Sequence, residues 1–359
     1  MLRIDLFSLL CYNTLKGGDF MKLNLSQIKN ITTGAVRIEE NDNAFHFYRF
    51  TKHQEELYKN RNTSFYLKTF CTSGVKMRFR TNSQSLFLNV DVTNGSTRSY
   101  FAFEVFVNGE KIDDIKNFCE SELSGNYTAT QFSFGDFSKK FYLGTGEKEV
   151  LIYFPWSVKA TIKELIIDDD SFIKPVKLSK KMLVFGDSIT QGYDALYPSN
   201  RYISKIANML DVEEYNKAIG GEIYFPELAK EKETFEPDYI LISYGSNDWN
   251  RSTKENLTQN CKEILCNLSS HYPNAKIFVI TPIWRKDMNE SRPFGDFRCV
   301  GEIVEKQVAD FKNASVIHGF EFVPQNVDLF ADLRLHPNDK GFEYYFENLS
   351  KHIKEILHN

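Results

Sequence analysis

Four short segments in the second half of the sequence carry groups that could act together in one reaction. Ser188 lies in a GDSIT segment, Asn247 in a GSND segment and His336 in an LHPN segment, while Gly221 follows another glycine. A hydroxyl, a carboxamide, an imidazole and glycine backbone amides are the components of serine acyl transfer, which needs a nucleophile, a general base and oxyanion donors. The sequence therefore points to an active site built around Ser188.

Each of these residues also has a purely structural interpretation. Ser188 is a suitable N-cap for a helix, and adjacent glycines permit a tight turn. Asn247 could form a turn or a cap, and His336, which precedes Pro337, could begin a helix. Their shared placement after apolar runs, in one order along the chain, favours the catalytic interpretation.

The elements that would position these residues follow from the hydrophobic pattern after residue 181. Short apolar runs alternate with amphipathic helical patterns, which is typical of a parallel sheet with helices on both faces. In open α/β sheets, ligands bind beyond the carboxyl ends of the strands, so we expect the four segments to meet at that edge. The pattern predicts strands at 182–185, 214–218, 239–243, 276–281 and 315–318, and helices at 202–210, 254–269, 302–311 and 340–357.

The first half of the chain has a different pattern. Apolar residues alternate with polar ones over residues 86–92, and Asn108-Gly109 closes another β-rich run with a strong hairpin signal. Many short strands at this spacing predict an all-β sandwich or jelly roll. The charged segment at 168–180, which contains a proline, separates the two patterns. We predict an N-terminal extension at 1–20, a β-sandwich domain at 21–175 and an α/β domain at 176–359.

Composition limits the class of protein. The chain has 359 residues, of which 42% are hydrophobic and 26% charged, and this excludes a disordered chain or a small disulfide scaffold. A net charge of −4 gives no support for nucleic acid or an anionic membrane as a partner. We expect a small-molecule or carbohydrate substrate, and the sequence leaves a homo-oligomer open.

The six cysteines include no CxxC pair, so we interpret them as reduced thiols. No cluster of Cys, His and carboxylates has metal-ligand spacing, so we expect neither a metal nor another cofactor. No apolar run approaches the roughly 20 residues that span a bilayer, and the N-terminus is a poor signal peptide. The expected location is the cytoplasm.

The segments VFGDSITQG, NKAIGG, GSND and LHPN resemble, in this order, the motif blocks of SGNH (GDSL) hydrolases. The resemblance covers about 182–350 and implies a flavodoxin-like three-layer α/β/α domain with a five-stranded parallel sheet. It implies that Ser188 is the nucleophile and His336 the base. It also implies that Gly221, Asn247 and the Ser188 N–H are the oxyanion donors, with Gly221 preferred to Gly220.

One position departs from the family pattern. The family's acid lies three residues before the histidine, where this chain has Leu333, whereas Asp332 lies four residues before. We take Asp332 as the candidate acid. A backbone carbonyl that orients His336 in a dyad is the alternative, and Asp328 is a remote third option.

The order of the two domains is similar to that of two-domain carbohydrate esterases in this family. The sandwich could shape the acyl-acceptor side of the site or serve only in packing or oligomerisation. Trp249, Trp284 and Arg285 follow predicted strands at the catalytic edge, so they are candidate substrate-binding residues, although a surface ion pair would also explain Arg285. We predict a serine esterase for short acyl groups such as acetyl. The alternatives are an acyltransferase that uses the same residues, or a carbohydrate-binding protein with an inactive hydrolase scaffold.

Overall fold

The computed structural model describes residues 20–125 and 127–358. The predicted extension at 1–20 lies outside these residues except for Phe20, which begins the first strand.

Up to residue 175 the strands are β1 (Phe20–Lys22), β2 (Thr32–Thr33), β3 (Arg37–Asn41), β4 (Ala44–Tyr48), β5 (Lys76–Thr81), β6 (Ser85–Asn94), β7 (Ala102–Val107), β8 (Glu110–Lys116), β9 (Gly135–Tyr142), β10 (Lys148–Tyr153), β11 (Val158–Asp168) and β12 (Lys174–Pro175). They form two antiparallel sheets. The order of the first is β3-β4-β11-β6-β9, with β1 beside β11, and the order of the second is β12-β5-β10-β7-β8, with β2 beside β5.

The apolar residues that alternate with polar ones in the sequence form the core between these two sheets. Leu86, Leu88 and Val90 on β6 are fully buried, in one cluster with apolar residues of β5 and β10 from the other sheet. The hairpin between β7 and β8 turns at Asn108 and Gly109, whose φ angles of 50° and 88° are both positive, as a tight hairpin turn requires. The predicted β-sandwich architecture is therefore confirmed.

Helices α1 (Leu25–Ile31), α2 (Lys52–Arg61) and α3 (Thr63–Thr69) also lie in this region, and the sequence analysis had not predicted them. A capping box begins α2, because Thr51 Oγ1 accepts the N–H of Gln54 and the Gln54 side chain accepts the N–H of Thr51, both at 3.1 Å. A search for such Thr-x-x-Gln spacings would have found this helix. The N-terminal region is thus β-rich rather than all-β.

From residue 180 the described chain forms a five-stranded parallel sheet in the order β14-β13-β15-β16-β17. Its order along the chain is 2-1-3-4-5, which is the flavodoxin-like arrangement. The confirmed strands are β13 (Lys180–Gly186), β14 (Val212–Asn216), β15 (Tyr239–Ser243), β16 (Lys276–Ile280) and β17 (Ala314–Ile317). The helices are α4 (Ser188–Gln191), α5 (Tyr202–Leu210), α6 (Asp248–Arg251), α7 (Lys254–His271), α8 (Arg298–Val308) and α9 (Asp339–His358).

Helices cover both faces of this sheet. One buried cluster joins α7 and α8 to one face, and another joins α5 and α9 to the other. The structure therefore confirms the predicted three-layer α/β/α fold. None of the helices in the described ranges is long and apolar enough to cross a bilayer. Five cysteines are free thiols in the structure, and the sixth, Cys11, lies outside the described residues.

A buried guanidinium joins the sandwich to the α/β layers. Arg49 follows β4, is 1% exposed and donates hydrogen bonds to the carbonyl oxygens of Cys71, at 2.6 Å, and Lys68, at 3.0 Å. It also donates to the carbonyl of Asn216, the last residue of β14, at 2.7 Å, and to that of Ala218, just beyond the strand, at 3.2 Å. Burial lowers the pKa of Arg49 to about 10, which still leaves it charged at neutral pH. This contact fixes the segment that leads to Gly220 and Gly221.

We expect Arg49→Met to lower the free energy of unfolding by about 3 kcal/mol, because it leaves buried carbonyls without a charged donor. Urea unfolding followed by circular dichroism measures the change. Arg80→Met is the matched control, because Arg80 is 56% exposed in its ion pair and such pairs contribute at most about 1 kcal/mol. Equal stability of the two variants would contradict a structural role for Arg49.

Candidate active site

Ser188 lies at the first turn after β13, an inner strand of the parallel sheet. A Cβ on Gly186 would lie 2.6 Å from the Thr190 side chain, so only glycine fits at the end of this strand. Asp187 caps α4, since its Oδ1 accepts the N–H of Ile189 at 3.0 Å. Ser188 is therefore the first residue of the helix and not its cap. An N–H in the first turn has no intrahelical acceptor, so that of Ser188 is available to a ligand.

Three of the predicted residues form one hydrogen-bonded chain. The Ser188 hydroxyl lies 2.8 Å from His336 Nε2, and His336 Nδ1 lies 2.8 Å from Asp332 Oδ2. With a proton on Nδ1, the imidazole donates to Asp332 and accepts from Ser188. This is the hydrogen-bond order in which a histidine can take the serine proton while a carboxylate fixes its tautomer.

The additional residue before His336 is accommodated by a left-handed turn. Leu333 has φ 54°, a conformation that residues other than glycine seldom adopt. The turn lets the other carboxylate oxygen of Asp332 accept the N–H groups of Arg334 at 3.0 Å, Leu335 at 2.7 Å and His336 at 3.1 Å. One carboxylate thus holds both the turn and the imidazole.

The environment of Asp332 keeps it ionised. Burial favours the neutral carboxyl, but the hydrogen bond and charge of His336 and the backbone N–H groups outweigh it. The pKa of Asp332 therefore lies well below its usual value. Asp328 is exposed, and its backbone carbonyl accepts from the Asn338 side chain at 2.7 Å. Asp332 is the carboxylate that contacts the imidazole within hydrogen-bond distance.

The glycine pair and Asn247 adjoin each other at the same edge of the sheet. The N–H of Gly220 is engaged by Gln191 Oε1 at 2.7 Å, whereas no hydrogen bond from the N–H of Gly221 is found among the described residues. Gly221 has φ 89° and is the better candidate for an oxyanion donor. One amide hydrogen of Asn247 binds the carbonyl of Glu222 at 3.0 Å, which leaves the second for a ligand.

Side chains from the sandwich and from α6 enclose this glycine turn. Lys68, on α3, donates to the Gly220 carbonyl at 2.8 Å, and Arg251 donates to the Gly221 carbonyl at 2.8 Å. A Cβ on Gly221 would lie 3.3 Å from both Arg251 Nη1 and Phe65 Cε1. The space at the Cα of Gly221 is therefore small on the side of Arg251 and Phe65.

Two of the three predicted substrate-binding residues are buried, which contradicts their expected role. Trp249 is 1% exposed, and its ring nitrogen donates to the Gly295 carbonyl at 2.8 Å. Arg285 is 0% exposed; it forms an ion pair with Asp287 and donates to the Ser246 carbonyl at 2.8 Å. Arg285 thus holds the loop before Asn247 through the Ser246 carbonyl, and its guanidinium lies 5.1 Å from the centroid of the Trp249 ring.

Trp284 is partly exposed and lies against Phe330, with ring centroids 5.3 Å apart. Trp156, which lies between β10 and β11, is 2% exposed. Its ring nitrogen donates to the Ala195 carbonyl at 2.8 Å, so it packs at the junction of the two halves. Of the three tryptophans, Trp284 is the one whose side chain is not buried.

Two further carboxyl groups are buried beneath the site. Burial raises the pKa of Asp187 to about 6 and that of Asp248 to about 7. Asp248 accepts the N–H groups of Tyr224 at 3.2 Å and Gly245 at 3.1 Å, which fixes the turn before Asn247. Both acids therefore have structural roles in the loops that carry Ser188 and Asn247.

The structure also places Asp194 near the imidazole, which the sequence analysis missed. Ligand atoms of Asp194, Asp332 and His336 lie within 4.8 Å of one another, a spacing that a metal ion could use. These atoms already have partners, since Asp332 holds His336 and Arg98 holds Asp194. The sequence does not indicate this contact, because Asp194 and His336 are far apart along the chain and meet only when the loop after α4 folds back.

Comparison with known proteins identifies the α/β region. Residues 184–344 match the GDSL-like Lipase/Acylhydrolase family. This region, fewer than half of the 359 residues, is similar to that family and is called the GDSL-like domain here. The match includes Ser188, Gly221, Asn247 and His336, and it supports the predicted class of carboxylic ester hydrolase. Comparison with curated protein sequences gives no significant match.

Solved structures resemble the GDSL-like domain together with the sandwich. A salicylyl-acyltransferase from a tetracycline biosynthetic pathway is 16% identical with a TM-score of 0.75, covering 90% of this chain and 94% of its own. A GDSL-like lipase from Bacteroides ovatus is 19% identical with a TM-score of 0.69, covering 94% and 98%. A family two carbohydrate esterase from Cellvibrio japonicus is 14% identical with a TM-score of 0.64, covering 94% and 98%. At these identities the likeness establishes the shared two-part fold.

We expect Asp332→Asn in the full chain to lower kcat for ester hydrolysis by about 10³- to 10⁴-fold, because the amide favours the wrong imidazole tautomer. Steady-state kinetics with a p-nitrophenyl ester measures the loss. Asp328→Asn is the control and should leave kcat within twofold. A loss of only a few-fold in a folded Asp332→Asn protein would instead indicate a Ser188–His336 dyad.

Asn247→Ala should lower kcat by about 10²- to 10³-fold with a smaller effect on KM, because it removes one donor to the developing oxyanion. The control is Asn250→Ala, which alters an exposed carboxamide on α6, the short helix that follows Asn247. Circular dichroism should be the same for both variants. Equal kcat values for the two variants would show that Asn247 does not donate to the oxyanion.

Proposed function

We propose that this protein is a serine esterase that removes a short acyl group, such as acetyl, from an oxygen of a small molecule or carbohydrate. Ser188 Oγ attacks the ester carbonyl while His336 Nε2 takes its proton. The C–O bond to the alcohol then breaks, and the imidazolium returns the proton to the leaving alcohol. Water repeats the sequence on the acyl-enzyme, releasing the carboxylic acid and free Ser188.

The observation that carries this proposal is the unbroken chain of contacts from Ser188 through His336 to Asp332, at 2.8 Å and 2.8 Å. The negative oxygen of the tetrahedral intermediate would be bound by the N–H groups of Ser188 and Gly221 and by the Asn247 amide. Donors already fixed before reaction stabilise this charge without reorganisation. A scaffold that only bound carbohydrate would not need these groups in this order, which favours the enzyme.

The preference for a short acyl group rests on the crowded surroundings of the nucleophile. Ser188 is 4% exposed and Asn247 is 8% exposed. The Phe65 and Arg251 side chains approach Gly221 closely enough that even a methyl group there would be tight. An acetyl group requires little more space than this, whereas a long acyl chain would require the two side chains to move.

The nature of the alcohol is proposed from fold neighbours. One similar structure is a family two carbohydrate esterase, which supports testing acetylated sugars. Another is a salicylyl-acyltransferase of the same two-part fold, so transfer to an alcohol acceptor is the second candidate function. The same residues would serve both, because water and an alcohol compete for one acyl-enzyme.

The first test is labelling by a fluorophosphonate probe, which reacts with an activated serine. We expect the wild-type protein to be labelled and Ser188→Ala to remain unlabelled, with Ser246→Ala as a control that stays labelled. Mass spectrometry of the labelled peptide locates the site. A folded wild-type protein without label at Ser188 would refute the serine mechanism.

The second test compares p-nitrophenyl esters of increasing chain length and acetylated sugars. We expect kcat/KM to fall steeply beyond short acyl groups. Product analysis with added acceptor alcohols then separates the two reactions, since a transferase forms the new ester at the expense of free acid. Faster turnover of long-chain esters would contradict the short-acyl preference.

A further inference from the structure

Asp194 is a buried carboxylate beside the imidazole that the proposed reaction does not use. Its Oδ2 lies 3.6 Å from His336 Nδ1, next to the Asp332 oxygen at 2.8 Å, and its side chain is fully buried. Its backbone has φ 75°, in the left-handed region that aspartate adopts at a cost. A strained, buried acid at such a point requires strong compensating contacts.

Those contacts come from the β-sandwich. Arg98 Nε donates to Asp194 Oδ1 at 2.6 Å and Nη2 donates to Oδ2 at 3.0 Å, which is a bidentate pair. The Tyr100 hydroxyl donates to Oδ1 at 2.9 Å, and the Tyr127 hydroxyl donates to the Asp194 carbonyl at 3.0 Å. Burial, together with the charge of Asp194, raises the pKa of both tyrosines, so their hydroxyls remain donors.

The neighbouring residue contacts the imidazole as well. The ring of Tyr193 lies over the ring of His336, with centroids 5.5 Å apart and planes 33° apart. The other contacts of Tyr193 include Trp156, at 5.0 Å between centroids, and the Arg98 guanidinium, 5.3 Å from the ring centroid. The turn at 193–194 therefore connects the sandwich to His336 both by packing and by charge.

We propose that Asp194 and Arg98 are positioning residues of the active site, through which the β-sandwich holds the catalytic histidine in place. This inference rests on the proposed role of His336 as the general base. It gives the sandwich a part in turnover, beyond packing. The pair acts through the imidazole, and among the described residues it forms no hydrogen bond with Ser188.

The charge balance explains why Arg98 is needed. With Arg98 in place, the guanidinium balances the charge of Asp194, and Asp332 is the carboxylate that accepts from His336 Nδ1. Without Arg98, a second uncompensated carboxylate would lie beside Nδ1, compete with Asp332 for its proton and stabilise the imidazolium. A histidine that is misplaced and more easily protonated is a poorer base at neutral pH.

The experiment compares four variants of the full chain on one active ester substrate. Arg98→Met should lower kcat by about 10- to 100-fold with little change in KM, and should move the acid limb of kcat/KM to higher pH. Arg98→Lys keeps the charge and should recover part of kcat with an acid limb near that of wild type. Asp194→Asn should lower kcat without moving the acid limb upward, since the uncompensated charge is absent.

Glu104→Gln is the matched control. Glu104 is another buried carboxylate of the sandwich, and it accepts the N–H of Ser199 in the α/β region at 2.8 Å. An interdomain contact that is only structural should change the thermal midpoint and leave kcat within twofold. If Arg98→Met is folded and behaves like Glu104→Gln in kcat and pH profile, the positioning role is refuted.

A readout that needs no turnover separates this inference from the proposed function. The ring signals of His336 in a ¹⁵N-histidine NMR spectrum, assigned with His336→Gln, should shift in Arg98→Met and stay in place in Glu104→Gln. A wild-type protein without esterase activity or label would refute the proposed function, while the ring signals would still decide the positioning role. If Arg98→Met fails to fold, Tyr100→Phe, which removes one hydrogen bond to Asp194, replaces it. Unchanged ring signals and kcat in that variant would refute the inference.

Discussion

The hydrogen bond between Asp332 and His336 is the contact on which the geometry of the site depends. It requires a carboxylate four residues before the histidine to fold back onto the ring, and the left-handed residue Leu333 makes this possible. The three backbone N–H groups on Asp332 Oδ1 offset the strain of that turn and keep the acid charged. The imidazole is thereby held with Nε2 toward Ser188, and the remaining parts of the site are arranged around this direction.

Cations of the β-sandwich satisfy groups of the catalytic loops. Arg49 binds the carbonyls of Asn216 and Ala218, Lys68 binds the carbonyl of Gly220, and Arg98 binds the carboxylate of Asp194. Each cation loses hydration when it is buried, and the carbonyl or carboxylate oxygens replace the lost water. The loops after β13 and β14 therefore take their shape partly from hydrogen bonds to the sandwich.

Local patterns were sufficient to predict much of this arrangement. Alternation over 86–92 and the run of strands and helices after 181 depend on burial at a fixed period, which sequence displays directly. Ser188 and Asn247 closely follow strand ends, and His336 comes after a longer segment that follows β17. The topology of a parallel sheet brings such ends to one edge. These residues were predictable because position along the chain determines their place in the fold.

The features that the sequence did not reveal depend on contacts between distant segments. Trp249 and Arg285 follow strand ends as Asn247 does, yet their side chains turn inward, and a strand end gives no information on that direction. The pairing of Arg98 with Asp194 joins residues 96 positions apart. The choice of Asp332 over a backbone carbonyl depended on one positive φ angle at Leu333, which a leucine does not signal.

The acidic groups near the site explain why the sandwich supplies cations there. Arg98 balances the charge of Asp194, and Arg61 balances that of Glu222. The Arg61 guanidinium lies 2.7 Å from the Glu222 carboxylate. Asp187 and Asp248 have no ion-pair partner among the described residues, and burial raises their pKa values to about 6 and about 7. Each further uncompensated carboxylate would cost free energy to bury and would stabilise the protonated form of His336. These cations therefore lower the free-energy cost of burying carboxylates near the imidazole, and Asp332 is the carboxylate that hydrogen-bonds to His336.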